Sequence, residues 1–163
     1  MVTLMCATDY LNYENDKFSK SRGVGVFGTD AMSTGIDADI YRFYLLLVRP
    51  ENQDASFSWN DLVLQNNMQL VDNVSHLIHL AVDLLDKHFA GIVPAMRLLD
   101  EDIQLLSAVN RGIANYLQHM EEVRLKEGLR DVLAASRLAN QIQSFQPGHW
   151  STAPKRKRSG LQP

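Results

Sequence analysis

One stretch of about thirty residues with a continuous apolar face constrains the fold of this chain more than any other feature. Ser58, followed three residues later by Asp61, is close to a capping box and predicts that a helix begins there. Gly91 and Pro94 predict its end. A helix of this length exceeds most globular helices and is typical of a helical bundle. The face that should point inward comprises Leu62, Val63, Asn66, Leu70, Val74, Leu77, Ala81, Leu84, Leu85 and Phe89.

Three further helices are predicted from apolar residues spaced three and four apart. The first covers residues 37–48 and ends before Pro50, because the residue preceding a proline is pushed out of the helical region. The second covers about residues 100–123, and the third about residues 125–145, ahead of Pro147. The second helix should be apolar along Ile103, Leu106, Val109, Ile113 and Leu117, and the third should point Leu129, Val132, Leu133, Ser136 and Ile142 inward.

The first thirty residues differ from this pattern, since a strand near residues 3–8 is followed by turn-forming residues and by Gly23, Gly25 and Gly28. The expected fold class is therefore mainly α. A small α/β segment should precede an antiparallel three-helix part of a bundle.

Composition limits the remaining possibilities. The chain has 163 residues, 45% apolar and 21% charged, which fits an ordinary folded domain and excludes a wholly disordered protein. The single cysteine, Cys6, excludes an intrachain disulfide and suits a reducing compartment. No apolar run reaches the length of a membrane span, and no signal peptide is evident, so we expect a cytoplasmic protein without a membrane partner. The basic run at residues 155–158 could serve as a nuclear-localisation signal or a phosphate-contacting arm, or could simply be solvated.

The motif that carries chemistry is KFSKS at residues 17–21, on a loop followed by glycines. Two lysines three apart can neutralise phosphate oxygens from a mobile arm, and serine hydroxyls and glycine amides add donors. Taken alone, this five-residue pattern is explained better by a solvated basic turn than by a phosphate-binding loop.

The sequence around the loop resembles a known family. KFSKS resembles the KMSKS signature of class I aminoacyl-tRNA synthetases, with Phe18 where methionine is usual. The segments DYLNYE at 9–14, SRGVGVFG at 21–28, ADIYRFYLL at 38–46, RPE at 49–51 and FSWNDL at 57–62 are similar to methionyl-tRNA synthetases of the eukaryotic cytosolic type. The resemblance is strong over residues 7–67 and continues more weakly to residue 147.

This resemblance implies an organisation and an ATP-contacting loop. Residues 1–56 would be the end of a class I nucleotide-binding catalytic domain with its stem-contact helix, 57–147 a truncated anticodon-binding helical domain, and 148–163 a basic disordered tail. Lys20 would contact the ATP phosphates as methionyl-adenylate forms, while Lys17, Ser19 and Ser21 would shape the loop. ATP would be the substrate, accompanied by Mg²⁺, with no metal site in the chain itself.

The family places its HIGH motif and methionine pocket upstream of this loop, and the sixteen residues before Lys17 cannot contain them. We therefore expect a partial methionine–tRNA ligase that does not activate methionine alone, because catalysis requires its parts to be placed together. The partners implied are tRNA(Met), a missing catalytic half and a multi-synthetase complex.

On the anticodon side, the family presents an asparagine and, four residues on, an arginine, where this chain has His76 and Leu80. Candidate nucleic-acid contacts are His76, His79 and, for base stacking, Trp150. Two other functions stay open: a non-catalytic tRNA- or partner-binding helical module, and an inert fragment.

Several residues have a structural interpretation beside a functional one. Asp72, His76, His79 and Asp83 share a helical face, yet their span of about 16 Å allows at most an adjacent pair to ligate one ion, so a polar face is expected. Cys6 is expected to be buried. Trp59 is expected to anchor packing, and His119 and His149 have no evident partner.

Overall fold

A computed structural model describes residues 5–14, 16–93 and 98–142, with the side chain of Ile142 excluded. The first part of the chain forms strands β1 (Leu11–Tyr13) and β2 (Asp16–Lys17), helices α1 (Gly28–Ser33) and α2 (Ala38–Leu47), and strand β3 (Ala55–Phe57). A long helical segment follows, made of α3 (Trp59–Gln65), a π-helical stretch (Asn66–Ser75) and α4 (His76–Phe89). Helices α5 (Asp100–Glu121) and α6 (Leu125–Ile142) complete a mainly helical fold, as expected.

The sheet is small and has the order β2-β1-β3. β1 pairs antiparallel with β2 and parallel with β3, with Tyr13 opposite Asp16 on one side and Phe57 on the other. The strand predicted at residues 3–8 is therefore misplaced. Residues 5–10 are exposed, and ladder pairing begins only at Leu11, which lies beside Ala55.

Helix α2 confirms the prediction for residues 37–48. The Asp37 carboxylate accepts a hydrogen bond from the backbone N–H of Asp39 (2.9 Å), which satisfies one of the free amides of the first turn. The inner face of α2 buries Tyr44, which packs edge-on against Phe57, with Leu62 completing the core of this part.

The long helix begins where Ser58 predicted, but a capping box does not start it. The Ser58 side chain makes no cap bond. Instead, the Tyr44 hydroxyl accepts from the Ser58 N–H (3.3 Å) and donates to Asp61 Oδ2 (2.9 Å). A buried tyrosine from α2 thus occupies the place between the two residues that a capping box would join directly.

The π-helical stretch changes which residues point inward. Asn73, outside the predicted stripe, is buried at 5% exposure, whereas Ala81, inside the stripe and beyond the π-helical stretch, is exposed. Val63, a stripe residue in α3 before the stretch, is also exposed, at 54%. A π turn holds more residues than an α turn, so a stripe counted at α spacing drifts across it. The segment ends at Ala90, which adopts a left-handed conformation (φ 52°) ahead of Gly91; Pro94 lies outside the described residues.

Helix α6 packs against α5, the π-helical stretch, α4 and α2, and so occupies the centre of the bundle. Leu133 is buried as predicted, at 3% exposure, but Val132 is 44% exposed. The predicted face of α5 is also largely wrong, since its solvent-exposed members are Ile103, Leu106, Ile113 and Leu117. On the side of α5 that approaches α6, Gly112 lies near Ala135, His119 bonds Asp131, and the larger side chains of Tyr116 and Met120 lie beside Gly128.

Candidate functional site

The KFSKS loop is anchored by its aromatic residue. The Phe18 ring lies 5.5 Å from that of Tyr13 and 6.2 Å from that of Phe27, and Phe18 packs against the buried cluster around Tyr44. This bulky apolar side chain fixes the loop to the sheet while its polar neighbours stay at the surface.

Gly25 makes this anchoring possible. Its φ of +133° is a conformation that side-chain-bearing residues rarely adopt. A Cβ at this position would also lie 2.4 Å from Cδ1 of Phe18, well inside van der Waals contact. The glycine therefore allows the chain to return across the Phe18 ring.

A hairpin tip stands above this anchor. Ser19 and Val24 exchange two backbone hydrogen bonds, of 2.8 and 3.0 Å, and the Gly23 N–H donates to the Lys20 carbonyl (3.2 Å) to close a turn. Lys20, Ser21 and Arg22 are exposed at the tip. The Ser19 and Ser21 hydroxyls lie 3.4 Å apart, so both can face one ligand.

The charged side chains near the tip differ in whether they have a partner within the protein. Arg22 pairs with Asp16 at 3.4 Å, and the Lys17 ammonium lies 6.0 Å from the centre of the Tyr10 ring. The Lys17 backbone N–H and the Arg22 guanidinium hold the pKa of the Asp16 carboxyl below its usual value. Within the described part of the chain, no hydrogen bond or ion pair engages the Lys20 ammonium, which leaves it available to an anion such as a phosphate.

The structure thus places the four predicted loop residues, Lys17, Ser19, Lys20 and Ser21, on one hairpin. His76 and His79 are exposed one turn apart on α4, separate from this hairpin. Trp150 lies outside the described residues, as do His149 and the basic run at 155–158. Within the described ranges, no group of three or more His, Cys, Asp or Glu side chains is placed to hold a metal ion. Asp83 instead pairs with Lys87 at 2.8 Å.

Two expectations for single residues are wrong. Cys6 is exposed rather than buried, with its Sγ 3.6 Å from the Arg49 guanidinium. His119 does have a partner, since its Nδ1 lies 2.7 Å from Asp131 Oδ2 across the α5–α6 contact. Trp59 packs as expected, edge-on to Phe57 and Tyr41, and its indole N–H donates to the Tyr13 hydroxyl (3.0 Å).

Sequence reasoning missed two carboxylates that join the hairpin part to the bundle. Glu14 accepts from the Trp59 N–H (2.8 Å), and Glu51 accepts from the Lys126 N–H (3.2 Å). Each lies more than forty residues from its partner along the chain, so no local pattern could have identified it.

An open groove of about 430 Å³ lies between the end of α2, β3 and the start of α6. Lys126 and Arg130 line it together with Asp54, and the Lys126 ammonium is already bound to the Arg49 carbonyl at 3.4 Å. The groove therefore carries charges of both signs, and one of its two cations already has a partner within the protein.

Comparison with known proteins identifies the family. The family model described as tRNA synthetases class I (M) matches residues 1–82, just over half of the chain. The chain belongs to this family. It is 51% identical over 148 residues to the cytoplasmic methionine–tRNA ligase of Homo sapiens and 40% identical over 161 residues to the methionine–tRNA ligase of Treponema pallidum. The family resemblance inferred from KFSKS and its flanking segments is thus confirmed, as is membership of a class of enzymes.

The chain covers only a small part of these relatives. The human alignment takes in 90% of this chain but 16% of that ligase, and the Treponema alignment takes in 93% and 20%. Among solved structures, methionyl-tRNA synthetase from Mycobacterium tuberculosis in complex with methionyl-adenylate matches with a TM-score of 0.74, over 85% of this chain and 27% of that one. At 23% identity, this likeness supports the fold alone.

No helix in the described ranges combines the length and the apolar character needed to cross a bilayer.

Proposed function

We propose that this chain supplies the ATP-contacting loop and the tRNA-facing helices of a cytoplasmic methionine–tRNA ligase. The activity of the whole enzyme would be the activation of methionine by ATP, followed by its transfer to tRNA(Met). The observation that carries the proposal is the hairpin tip, on which Lys20 projects an exposed ammonium above an anchored Phe18 in a chain of this family.

The chemistry proposed for Lys20 is electrostatic. When the methionine carboxylate attacks the α-phosphorus of ATP, the bond to the bridging oxygen breaks and pyrophosphate leaves with added negative charge. A positive group held beside the leaving phosphates stabilises that charge more in the transition state than in the ground state. Ser19 and Ser21 would donate hydroxyl hydrogen bonds, Lys17 would add positive charge at the base of the hairpin, and Mg²⁺ would arrive with ATP as part of the substrate.

The decisive test changes Lys20 in a synthetase that contains this sequence. Lys20→Ala should lower kcat for methionine-dependent ATP–pyrophosphate exchange by about 100-fold, the usual effect of removing one transition-state donor. Lys20→Arg keeps the charge and should lose less. The matched control is Lys87→Ala, because Lys87 is also exposed but pairs with Asp83 on α4. Normal exchange in Lys20→Ala would remove the proposed role.

The nucleic-acid part of the proposal rests on α4, where His76 and His79 are exposed one turn apart. We propose the division into residues 1–56, 57–147 and 148–163, with the middle part facing tRNA and Trp150 of the last part as a candidate to stack on a base. Fluorescence anisotropy with labelled tRNA(Met) should show an affinity that falls steeply between about 50 and 200 mM salt. His76→Ala with His79→Ala should weaken it, and absence of binding at low salt would exclude this contact.

The expected dependence on a catalytic half can be tested with the 163-residue chain alone. It should show no ATP–pyrophosphate exchange, because methionine and ATP must be positioned together for the reaction to occur. Exchange by the isolated chain would contradict this part of the proposal. Within a cell, the missing half or a multi-synthetase complex would supply the remaining parts.

A non-catalytic binding module is a second candidate, and one observation favours it. The apolar residues Ile103, Leu106, Ile113 and Leu117 form an exposed stripe on α5. Two results together would make this function replace the first. The chain would bind tRNA(Met) or a protein partner, and Lys20→Ala would leave ATP–pyrophosphate exchange unchanged in a synthetase that contains the chain.

A further inference from the structure

Two helices of the bundle have N-termini capped by carboxylates from the first part of the chain. The Trp59 N–H at the start of α3 donates to Glu14 Oε1 (2.8 Å), and the Lys126 N–H at the start of α6 donates to Glu51 Oε1 (3.2 Å). The first amides of a helix have no partner within it, and the helix dipole favours a negative charge at that end. Each carboxylate therefore serves as a cap and as a tie between the two parts of the fold.

Glu14 occupies an unusual backbone position. It has a φ of 46°, in the left-handed region that residues with a side chain rarely adopt. Its N–H donates to the Phe57 carbonyl (2.9 Å), and its carboxylate accepts from Trp59. The backbone of Glu14 is therefore bonded to the residue before Ser58, and its side chain to the residue after Ser58. These two bonds hold Glu14 in a conformation that it would not otherwise favour.

The same residue forms the corner from which the hairpin departs. β1 ends at Tyr13, β2 begins at Asp16, and Tyr13 pairs with Asp16 across the turn. Phe18 then packs against the Tyr13 ring, and the Tyr13 hydroxyl accepts from the Trp59 indole. The base of the hairpin and the first turn of the long helix therefore share two contacts, through Glu14 and through Tyr13.

We infer that Glu14 is a positioning residue that holds the hairpin of residues 16–25 in a fixed geometry relative to the first turn of the long helix. The inference deepens the proposed function, because the residue held in place is Lys20 and the helix that holds it is the one proposed to face tRNA. Glu51 provides a matched comparison, because it caps a bundle helix in the same way but forms its ion pair with Arg49 and accepts from Lys126, which lie away from the hairpin.

The experiment is NMR-detected amide exchange on the whole chain. The amides of Ser19 and Val24 bond to each other's carbonyls and report hairpin closure, the Trp59 amide reports the Glu14 cap, and the Leu62 amide, bonded to the Ser58 carbonyl, reports general loosening of the helix start. Glu14→Ala should raise exchange at Trp59, Ser19 and Val24 at least fivefold, and more than at Leu62. Glu51→Ala should raise exchange at Lys126 and leave Ser19 and Val24 within twofold of the wild type.

Two further variants keep the test decisive if Glu14→Ala does not fold. Glu14→Asp retains the charge, but its side chain is one methylene shorter and cannot reach the Trp59 N–H. It should therefore reproduce the faster exchange at Ser19 and Val24. Glu14→Gln retains an acceptor oxygen at the same reach and should stay closer to the wild type. Faster exchange at Trp59 with unchanged exchange at Ser19 and Val24 would overturn the inference.

A kinetic measurement separates this inference from the proposed function. In a synthetase containing the chain, Glu14→Asp should lower kcat for ATP–pyrophosphate exchange or raise KM for ATP, while KM for methionine stays unchanged; unchanged ATP kinetics would count against the inference. Full activity of Lys20→Ala would instead refute the proposed role of Lys20, and the amide-exchange result would still decide whether Glu14 positions the hairpin.

Discussion

At the scale of single residues, the position of the candidate site depends more on the packing of apolar residues beneath the hairpin than on its charged residues. Lys20 lies in a short turn closed by a backbone hydrogen bond from Gly23. The packing of Phe18 against Tyr13 and Gly25 fixes the position of that turn relative to the sheet. The sequence allowed the charged residues of the loop to be predicted, because their types indicate phosphate chemistry. It did not indicate that Phe18 would lie against Gly25, since that contact depends on how the chain returns across the ring.

Gly25→Ala should therefore open the hairpin. The new Cβ would meet Cδ1 of Phe18 at 2.4 Å and would stand at a φ of +133°, so both packing and backbone oppose it. We expect a loss of about 1–3 kcal/mol in the free energy of unfolding, measured by urea denaturation, with faster amide exchange at Ser19 and Val24.

Gly23→Ala is the matched control, because Gly23 also has a positive φ (+64°) but a Cβ added there would have no neighbouring atom within 4 Å. Gly23→Ala should lower the free energy of unfolding by about 1 kcal/mol, the cost of placing a side-chain-bearing residue at a positive φ. Equal losses in the two variants would show that the Phe18 contact is unimportant.

At the scale of secondary-structure elements, the sequence predicted where helices begin and end better than how they are held. Ser58 marked the start of the long helix correctly, and the segment predicted from apolar spacing at 37–48 begins at Asp37, whose side chain caps α2. The Tyr44 hydroxyl between Ser58 and Asp61 could not be predicted, since it comes from another helix. The π-helical stretch was missed for a related reason: periodicity assumes α spacing throughout, whereas the burial of Asn73 depends on its contacts with α6.

Asn73 ties the π-helical stretch to α6 and should be sensitive to substitution. Its side-chain amide donates to the Leu133 carbonyl (3.1 Å), and Asn140 donates to both its backbone carbonyl (2.8 Å) and its side-chain oxygen (3.1 Å). Asn73→Ala removes two side-chain hydrogen bonds, worth about 0.5–1.5 kcal/mol each, and should lower the free energy of unfolding by about 1–3 kcal/mol in a urea titration. The exposed Asn67→Ala should change it by less than about 0.5 kcal/mol; a similar effect at both positions would contradict the proposed tie.

Tyr44 links α2 to α3 and gives stability a dependence on alkaline pH. Burial, together with its hydrogen bond to the Asp61 carboxylate and the charges of Asp61 and Glu14, raises the pKa of Tyr44 to about 12, against the opposing effect of the Ser58 N–H. The folded state therefore keeps its proton at a pH where the unfolded chain has lost it. The resulting stabilisation is complete below pH 10 and declines as the pH rises from about 10 to 12.

Tyr44→Phe should remove this part of the alkaline loss while costing about 1–3 kcal/mol at neutral pH, because Asp61 and the Ser58 amide lose their shared partner. Unfolding by guanidinium followed by circular dichroism at about pH 8 and about pH 11 measures both effects. If the wild type and Tyr44→Phe lost equal stability between these two values, the titration of Tyr44 would not contribute.

At the scale of the whole molecule, α6 lies at the centre of the bundle, and Glu51 from the first part of the chain bonds to its first turn. The Glu51 carboxylate pairs with Arg49 Nε at 3.2 Å and caps α6 at Lys126. Next to it, burial opposes ionisation of Glu127, but its own backbone N–H, the Glu51 carboxyl, and the charges of Arg124 and Arg130 together hold the pKa of Glu127 below its ordinary value. These contacts hold the hairpin part and the bundle together as one structure.

Periodicity identified each bundle helix but could not assign its inward face when more than one face was apolar. On α5, the residues Ile103, Leu106, Ile113 and Leu117 have the spacing of a core stripe, yet they are exposed, and α5 contacts α6 through a different face that includes Gly112 and Tyr116. On α6, Leu133 was assigned correctly and its neighbour Val132 was not. Which apolar face is covered depends on the neighbouring helices, and that information is spread over the whole chain.

The two faces can be distinguished by paired substitutions. Leu117 is 56% exposed and Leu133 is 3% exposed, so Leu133→Ala should lower the free energy of unfolding by about 2–5 kcal/mol, whereas Leu117→Ala should change it by less than about 1 kcal/mol. Urea denaturation of the chain at one fixed concentration measures both. A comparable loss from Leu117→Ala would mean that the stripe on α5 is covered in solution. A concentration-dependent midpoint would then identify the cover as a second copy of the chain, because association stabilises the folded state by mass action.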